Sequence, residues 1–174
     1  MFEKIRLTGE CFLEVKNAEG KTKTRLEIRN VVTDVGRAQV AGLINGVVTS
    51  PFKYIAIGTG ATGITSTSTS LSEEIARKPA TVGRLTTNVA NDTAYWEATF
   101  SSADGLSGTS SVAEAGIFDA ETGGNMLLGK NFEAIEVNWD EGDTFTVAWK
   151  LTIGEKVATL IRQPTLIREG SNIL

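Results

Sequence analysis

The chain contains no histidine, a single cysteine and three prolines among its 174 residues, and these shortages exclude several classes of protein. Without histidine, the chain lacks the usual general base near neutral pH and the commonest metal ligand. Because Cys11 is alone, no disulfide can form within the chain, which fits synthesis in a reducing compartment. No apolar run approaches the length that spans a bilayer, so we predict no membrane association.

Basic residues are also too few and too scattered for a nucleic-acid-binding protein. The chain has 17 Lys and Arg against 21 Asp and Glu, and its net charge is −4. Affinity for DNA or RNA comes mostly from clustered cations, so we predict no nucleic-acid partner. Together with the missing histidine, this favours a structural or binding protein that is not an enzyme and binds no small-molecule substrate.

One motif argues for the opposite conclusion. Gly58, Gly60 and Gly63 form a GxGxxG pattern directly after an apolar run, as in a dinucleotide-binding turn. In that turn the third glycine lies in a helix, but here seven β-branched and hydroxyl residues follow, over residues 64–70. The expected acidic residue about twenty positions further on is also missing. We therefore predict the end of a strand followed by a flexible polar surface loop, with no cofactor.

Two groups of acidic residues are candidates for chemistry. Asp140, Glu141 and Asp143 cluster in one bend and could bind calcium, but the twelve-position ligand pattern is missing. A solvated acidic turn is the preferred interpretation. Asp119 and Glu121 flank a hairpin turn, where Asp is common for backbone reasons. We therefore predict no metal site and no catalytic residue.

Alternation of apolar and polar residues dominates the rest of the chain. From Thr144 to Ile153, every second side chain is large and apolar, which is typical of a half-buried strand. Similar segments meet across the turns 17–20, 90–93 and 121–124, which predicts hairpins. The count is eight or nine strands, and the predicted fold is an all-β antiparallel sandwich of jelly-roll-like arrangement. The predicted core contains Ile55, Ile57, Leu85, Val89, Trp96, Phe100, Ile117, Phe118, Val147, Trp149 and Leu151.

One or two short helices complete this prediction. Thr33 or Asp34 can cap a helix that includes residues 37–44, and Gly46 is placed to end it. The segment 70–73 reads as a capping box, although Pro79 would limit a helix there to about two turns.

Several segments together resemble a group of small virion proteins of tailed bacteriophages. They are residues 30–36, 52–60, 71–74, 111–119, 126–128 and 142–153, in that order. The resemblance implies a β-sandwich component of the particle, made in the host cytoplasm and without catalytic residues. It implies first a capsid decoration (cement) protein. The alternative is a tail-associated protein, such as a fibre or a baseplate adaptor that positions a receptor-binding module.

A decoration protein of this kind would bind the assembled shell of major capsid protein and stabilise it. Decoration proteins of this size often sit at three-fold points of the shell, so the resemblance also implies a homo-oligomer, specifically a trimer.

The two ends of the chain are the predicted contact segments. We assign residues 1–153 to a single sandwich domain, in which residues 1–9 could form an arm, and residues 154–174 to a C-terminal arm. The arm is too apolar for a free tail, so it either adds a strand to its own sheet or contacts a neighbouring subunit or the shell. We predict the second arrangement, with contacts made by Leu160, Ile161, Leu166, Ile167, Phe2 and Ile5.

Overall fold

The computed structural model describes residues 5–154, which form two five-stranded antiparallel sheets with a shared apolar core. Sheet A has the strand order β2-β1-β10-β7-β6, and sheet B has the order β3-β9-β8-β4-β5. Sheet A consists of β1 (Leu7–Lys16), β2 (Thr22–Arg29), β6 (Thr81–Leu85), β7 (Thr93–Phe100) and β10 (Thr144–Ile153). Sheet B consists of β3 (Val31–Val32), β4 (Tyr54–Gly58), β5 (Glu74–Pro79), β8 (Thr109–Phe118) and β9 (Met126–Asn138).

The predicted all-β antiparallel sandwich is therefore confirmed, with ten strands in the described part of the chain instead of eight or nine. The chain passes between the sheets in short runs: β1 and β2 lie in sheet A, β3 to β5 in sheet B, β6 and β7 in sheet A, β8 and β9 in sheet B, and β10 in sheet A. The three predicted hairpins correspond to β1–β2, β6–β7 and β8–β9.

The first and last strands are neighbours. β1 pairs with β10 over its whole length, from Leu7 opposite Ile153 to Lys16 opposite Thr144. Just beyond this pairing, the backbone N–H of Gly154 donates to the carbonyl of Arg6 at 2.8 Å. Both ends of the described chain therefore lie side by side at one end of sheet A.

The alternating side chains of both sheets meet in the core, as the period of two requires. The predicted core positions that are buried are Ile55, Ile57, Trp96, Phe100, Ile117, Phe118, Val147, Trp149 and Leu151. Two predicted core positions are wrong, because Leu85 is 37% exposed and Val89 is 66% exposed. Strand β6 ends at Leu85, and alternation from Val82, which lies opposite the buried Trp96, places Leu85 on the outer side of the sheet. Val89 lies in the turn that follows.

The outer face of sheet B is covered by other parts of the chain. Phe118, Met126 and Ala56 form a second small cluster there, under Leu71 of the loop that joins β4 to β5. The helix α1 (Asp34–Asn45) contacts β9, where a side chain at Gly36 would come within 2.7 Å of the backbone of Leu127. On the outer face of sheet A, Thr93 and Thr152 are buried beside Thr87 of the turn that follows β6, whereas the outward side chains of β1 are at most partly buried.

The first predicted helix is confirmed and the second is wrong. Helix α1 begins after its N-cap Thr33, whose side chain accepts a hydrogen bond from the N–H of Gly36, and ends at Gly46 in the left-handed conformation. Residues 70–73 form bends instead of a helix, and β5 begins at Glu74. The reason is a tertiary contact, since the backbone N–H groups of Ser72 and Glu73 donate to the carboxylate of Glu114.

Candidate functional site

The glycine motif binds a carboxylate of the protein itself. Glu114 is fully buried in β8, and its carboxylate accepts hydrogen bonds from the backbone N–H groups of Gly60 at 3.2 Å, Ser72 at 3.1 Å and Glu73 at 2.7 Å. The hydroxyl of Ser72 donates a fourth bond at 3.1 Å. Because a buried carboxylate needs this number of donors, the arrangement accounts for the loop between β4 and β5 without a ligand.

The spacing of the glycines has the same cause. A Cβ atom at Gly58 would lie 2.5 Å from Oε1 of Glu114, and one at Gly60 would lie 1.8 Å from Oγ of Ser72. A Cβ atom at Gly63 would meet nothing within 4 Å. The first two glycines therefore allow the close approach of Glu114, and the third takes no part in it. The predicted strand end is confirmed at Gly58, and residues 61–70 lie mostly at the surface, but Gly60 is buried against Glu114.

Two of the acidic residues that the sequence offered as candidates, Asp119 and Asp143, are engaged in structural bonds. Asp140 and Glu141 are exposed, as predicted for a solvated turn, but Asp143 is buried, and its carboxylate accepts from Lys23 Nζ at 2.5 Å and from the N–H of Asn138 at 2.9 Å. Burial opposes ionisation, but the bonds from Lys23 and Asn138 lower the pKa of Asp143 overall. Asp119 accepts from the backbone and side chain of Asn125, as expected at a hairpin turn. Within residues 5–154, no group of three potential ligands could hold a metal ion.

Exposed apolar side chains gather at one end of sheet A, which we call the terminal end. It comprises residues 5–7, 85–92 and 152–154. Leu85 lies opposite Thr93, which lies opposite Thr152, and the N–H of Ile153 donates to the carbonyl of Asp92 at 3.0 Å. Four large apolar side chains are exposed there: Ile5 (75%), Leu85 (37%), Val89 (66%) and Ile153 (51%). By alternation Leu85 lies on the outer side of the sheet and Ile153 on the inner side, so these exposed apolar groups surround its end and are candidates for contact with another protein.

The turn at this end is held in a fixed conformation by one carboxylate. Asp92 accepts backbone N–H bonds from Thr87 at 2.8 Å, Asn88 at 2.9 Å and Val89 at 3.0 Å. These bonds, of which the one from Val89 is the largest influence, lower the pKa of Asp92 to about 2. The exposed side chain of Val89 is therefore presented on an ordered turn, which reduces the entropy lost when a partner binds it.

The predicted contact residues lie at this end or beyond it. Ile5 belongs to the terminal end, while Phe2, Leu160, Ile161, Leu166 and Ile167 lie outside the described residues. The sequence did not identify Leu85, Val89 and Ile153 as surface residues, because their apolar alternation indicated the core. For Val89, the turn-forming residues on both sides of it were a signal that could have placed it at the surface.

A second surface feature is a shallow groove of about 400 Å³ on the outer face of sheet A, lined in part by Phe12, Glu14, Arg25 and Glu97. Several of its polar groups already have partners: Arg25 donates to Glu14 at 2.8 Å, and the hydroxyl of Tyr95 donates to Glu97 at 2.5 Å. The terminal end, where apolar groups lack cover, is therefore the stronger candidate for contact with another chain.

The chain was compared with protein families, with curated proteins and with solved structures. A family model described as "Podophage GP4 fiber I protein gp80" matches residues 38–153, about two thirds of the chain. Comparison with curated proteins and with solved structures gave no match. In the part of the chain that the structure describes, no helix is long and apolar enough to cross a membrane. The family match confirms the resemblance to phage virion proteins that the sequence predicted.

Proposed function

This chain belongs to the family of podophage GP4 fiber I protein gp80, and from that membership we propose that it is a structural component of a phage tail fibre, without enzymatic activity. Of the two roles that the sequence left open, the family favours the tail-associated protein over the capsid decoration protein. The support for a structural role is that Glu114, Asp119 and Asp143 all hold backbone groups or ion pairs in place.

We further propose that the protein forms a homo-oligomer through the terminal end. The support is the concentration of exposed apolar groups there, together with the exit of both chain ends at the same place. Residues 155–174 start from Gly154 and carry Leu160, Ile161, Leu166 and Ile167, which would bury their side chains on a neighbouring subunit. Each fully buried Leu or Ile contributes about 1.5–3 kcal/mol before ordering costs, so four could hold such an arm. A trimer stays the predicted state.

Counting copies in purified particles tests the location. A tail-fibre protein is present in at most a few dozen copies, whereas a decoration protein that covers the shell is present on the order of hundreds. Quantitative mass spectrometry against the major capsid protein measures this ratio. A count in the hundreds, with the protein retained on tailless heads, would contradict the tail-fibre role and restore the decoration role with the major capsid protein as partner.

Truncation after Gly154 tests the assembly. We expect the shortened protein to stay folded by circular dichroism and to lose self-association by light scattering, because residues 5–154 already contain an extensive apolar core. A shortened protein that unfolds would mean that residues 155–174 belong to the core of their own subunit, and the proposed contact would be wrong.

A further inference from the structure

The four edge strands of the sandwich differ in how well they are protected from pairing with another strand. Unprotected edges invite pairing, and proteins protect them with charge, proline, or short length. In sheet B, β3 has two residues, and β5 ends at Pro79, which has no N–H to offer. In sheet A, β2 carries four charged residues among its eight. Three edges therefore carry a recognised protection.

The fourth edge, β6, has weaker protection, with fewer charged residues than β2 or β5. Its sequence is Thr-Val-Gly-Arg-Leu, with one charge and no proline, and every residue from Thr81 to Leu85 is exposed. One side of β6 pairs with β7, and within residues 5–154 no strand pairs with the other side. Val82 is 55% exposed, although its position opposite the buried Trp96 directs it to the inner side of the sheet. Strand β6 is thus a sparsely charged edge that lacks a neighbour in this part of the chain.

We propose that β6 accepts, as an added antiparallel strand, residues 157–161 of a second copy of this chain. This inference rests on the proposed function, since it names the surface on which the arm of a neighbouring subunit lies. The segment is Val-Ala-Thr-Leu-Ile, in which the β-branched Val157, Thr159 and Ile161 alternate and so share one face of a strand. Its length matches the five residues of β6, and Pro164 stops any strand shortly afterwards.

The path of the chain favours a second copy over the subunit's own arm. Strands β6 and β10 are both antiparallel to β7, so they run in the same direction. A strand added to β6 would lie three strand spacings from β10, which is about 14 Å. The subunit's own arm would have to turn back after Gly154 and cross this distance around residues 86–92, using about four extended residues. That crossing would consume Val157, whereas the arm of a second copy can pair along the whole segment.

Disulfide formation between two different chains tests this contact. One preparation carries Val82→Cys, and a second preparation, with a tag of different mass, carries Thr159→Cys. Because the proposal does not fix the register of residues 157–161 against β6, the second substitution is repeated at each position from 157 to 161. Cys11 is buried and stays in both preparations. After mixing and mild oxidation, we expect a reducible heterodimer, since cross-strand neighbours fall within the distance of about 4.4–6.8 Å between Cα atoms that a disulfide requires.

The matched control is Thr24→Cys on β2, the opposite edge of sheet A, where we expect at least about tenfold less heterodimer. A heterodimer that forms equally with Thr24→Cys overturns the proposal. A disulfide that forms only when both cysteines are in one chain also overturns it, because the arm then covers its own β6. If no position from 157 to 161 reacts while truncation after Gly154 abolishes self-association, then β6 is not the acceptor but the proposed assembly through the arm stands.

Discussion

Two carboxylates of this protein hold loops in the same way, yet in opposite surroundings. Glu114 and Asp92 each accept three backbone N–H bonds and one hydroxyl bond. The partners of Asp92 lie within five residues of it, and the turn that they form is at the surface. The partners of Glu114 lie more than 40 residues away along the chain, and the group is fully buried. The two differ in sequence separation and in burial.

Because of this difference, we expect Glu114 to contribute to stability and Asp92 to the shape of the surface. A buried donor that loses its acceptor cannot turn to water, so loss of Glu114 should leave several backbone groups without partners. The donors around Asp92 can bond to water instead. We therefore expect changes at Glu114 to lower the free energy of unfolding, and changes at the Asp92 turn to act mainly on contacts with other chains.

The largest expected effect is that of Glu114→Ala. It removes the acceptor of three backbone N–H groups and leaves a cavity, so we expect the free energy of unfolding to fall by about 3–5 kcal/mol. Urea denaturation measures this change. The control is Glu136→Ala, at an exposed position of β9, for which we expect a change within about 0.5 kcal/mol. Equal effects of the two substitutions would contradict the structural role of Glu114.

A smaller effect is expected from Gly60→Ala. The added Cβ atom would meet Oγ of Ser72 and Oε1 of Glu114, so the loop must move away from the carboxylate. We expect a loss of about 1–3 kcal/mol in the free energy of unfolding. The matched control is Gly63→Ala, where the Cβ atom meets nothing within 4 Å and stability should be nearly unchanged. If Gly63→Ala were the more harmful, the account of the glycine motif would be wrong.

Acidification should loosen the Asp92 turn while neutral pH leaves it intact. Because the folded-state pKa is about 2, below the ordinary value of about 3.9, the ionised carboxylate favours the folded turn. Its contribution is fully present above pH 4 and is lost as the pH falls through about 2. The amide proton of Val89, followed by NMR, should titrate with a midpoint near 2, and Asp92→Asn should abolish this titration. A midpoint near 4 would mean that the three N–H bonds do not form in solution.

The smallest effect on stability is expected from Val89→Ser. Its side chain is 66% exposed, so the free energy of unfolding should change by at most about 0.5 kcal/mol. Self-association of the full chain should nevertheless weaken, because the substitution removes an apolar contact from the terminal end. Analytical ultracentrifugation measures the association. Unchanged association would exclude Val89 from the contact surface. The matched control is Val47→Ser, at an exposed position near the end of α1.

Local patterns were sufficient to predict much of the fold. The alternation from Thr144 to Ile153 predicted β10, and the capping residue Thr33 with Gly46 predicted the limits of α1, because these signals depend on neighbours in the chain. The same local reasoning failed at residues 70–73. Their capping-box pattern indicated a helix, but Glu114 draws their N–H groups into a different arrangement. It failed again at Leu85 and Val89, whose apolar character is the same whether a side chain lies in a core or on a contact surface.

The sequence by itself determined the two-layer β architecture, the turns closed by nearby residues, and the absence of histidine chemistry. Only the tertiary structure decided that the glycine motif holds Glu114, that Leu7 and Ile153 lie opposite each other, and that β6 has no neighbouring strand on one side within residues 5–154. The physical reason is the distance along the chain over which each interaction acts. Alternation and capping act over a few residues, whereas a buried carboxylate or a free sheet edge exists only after strands distant in the chain have been brought together.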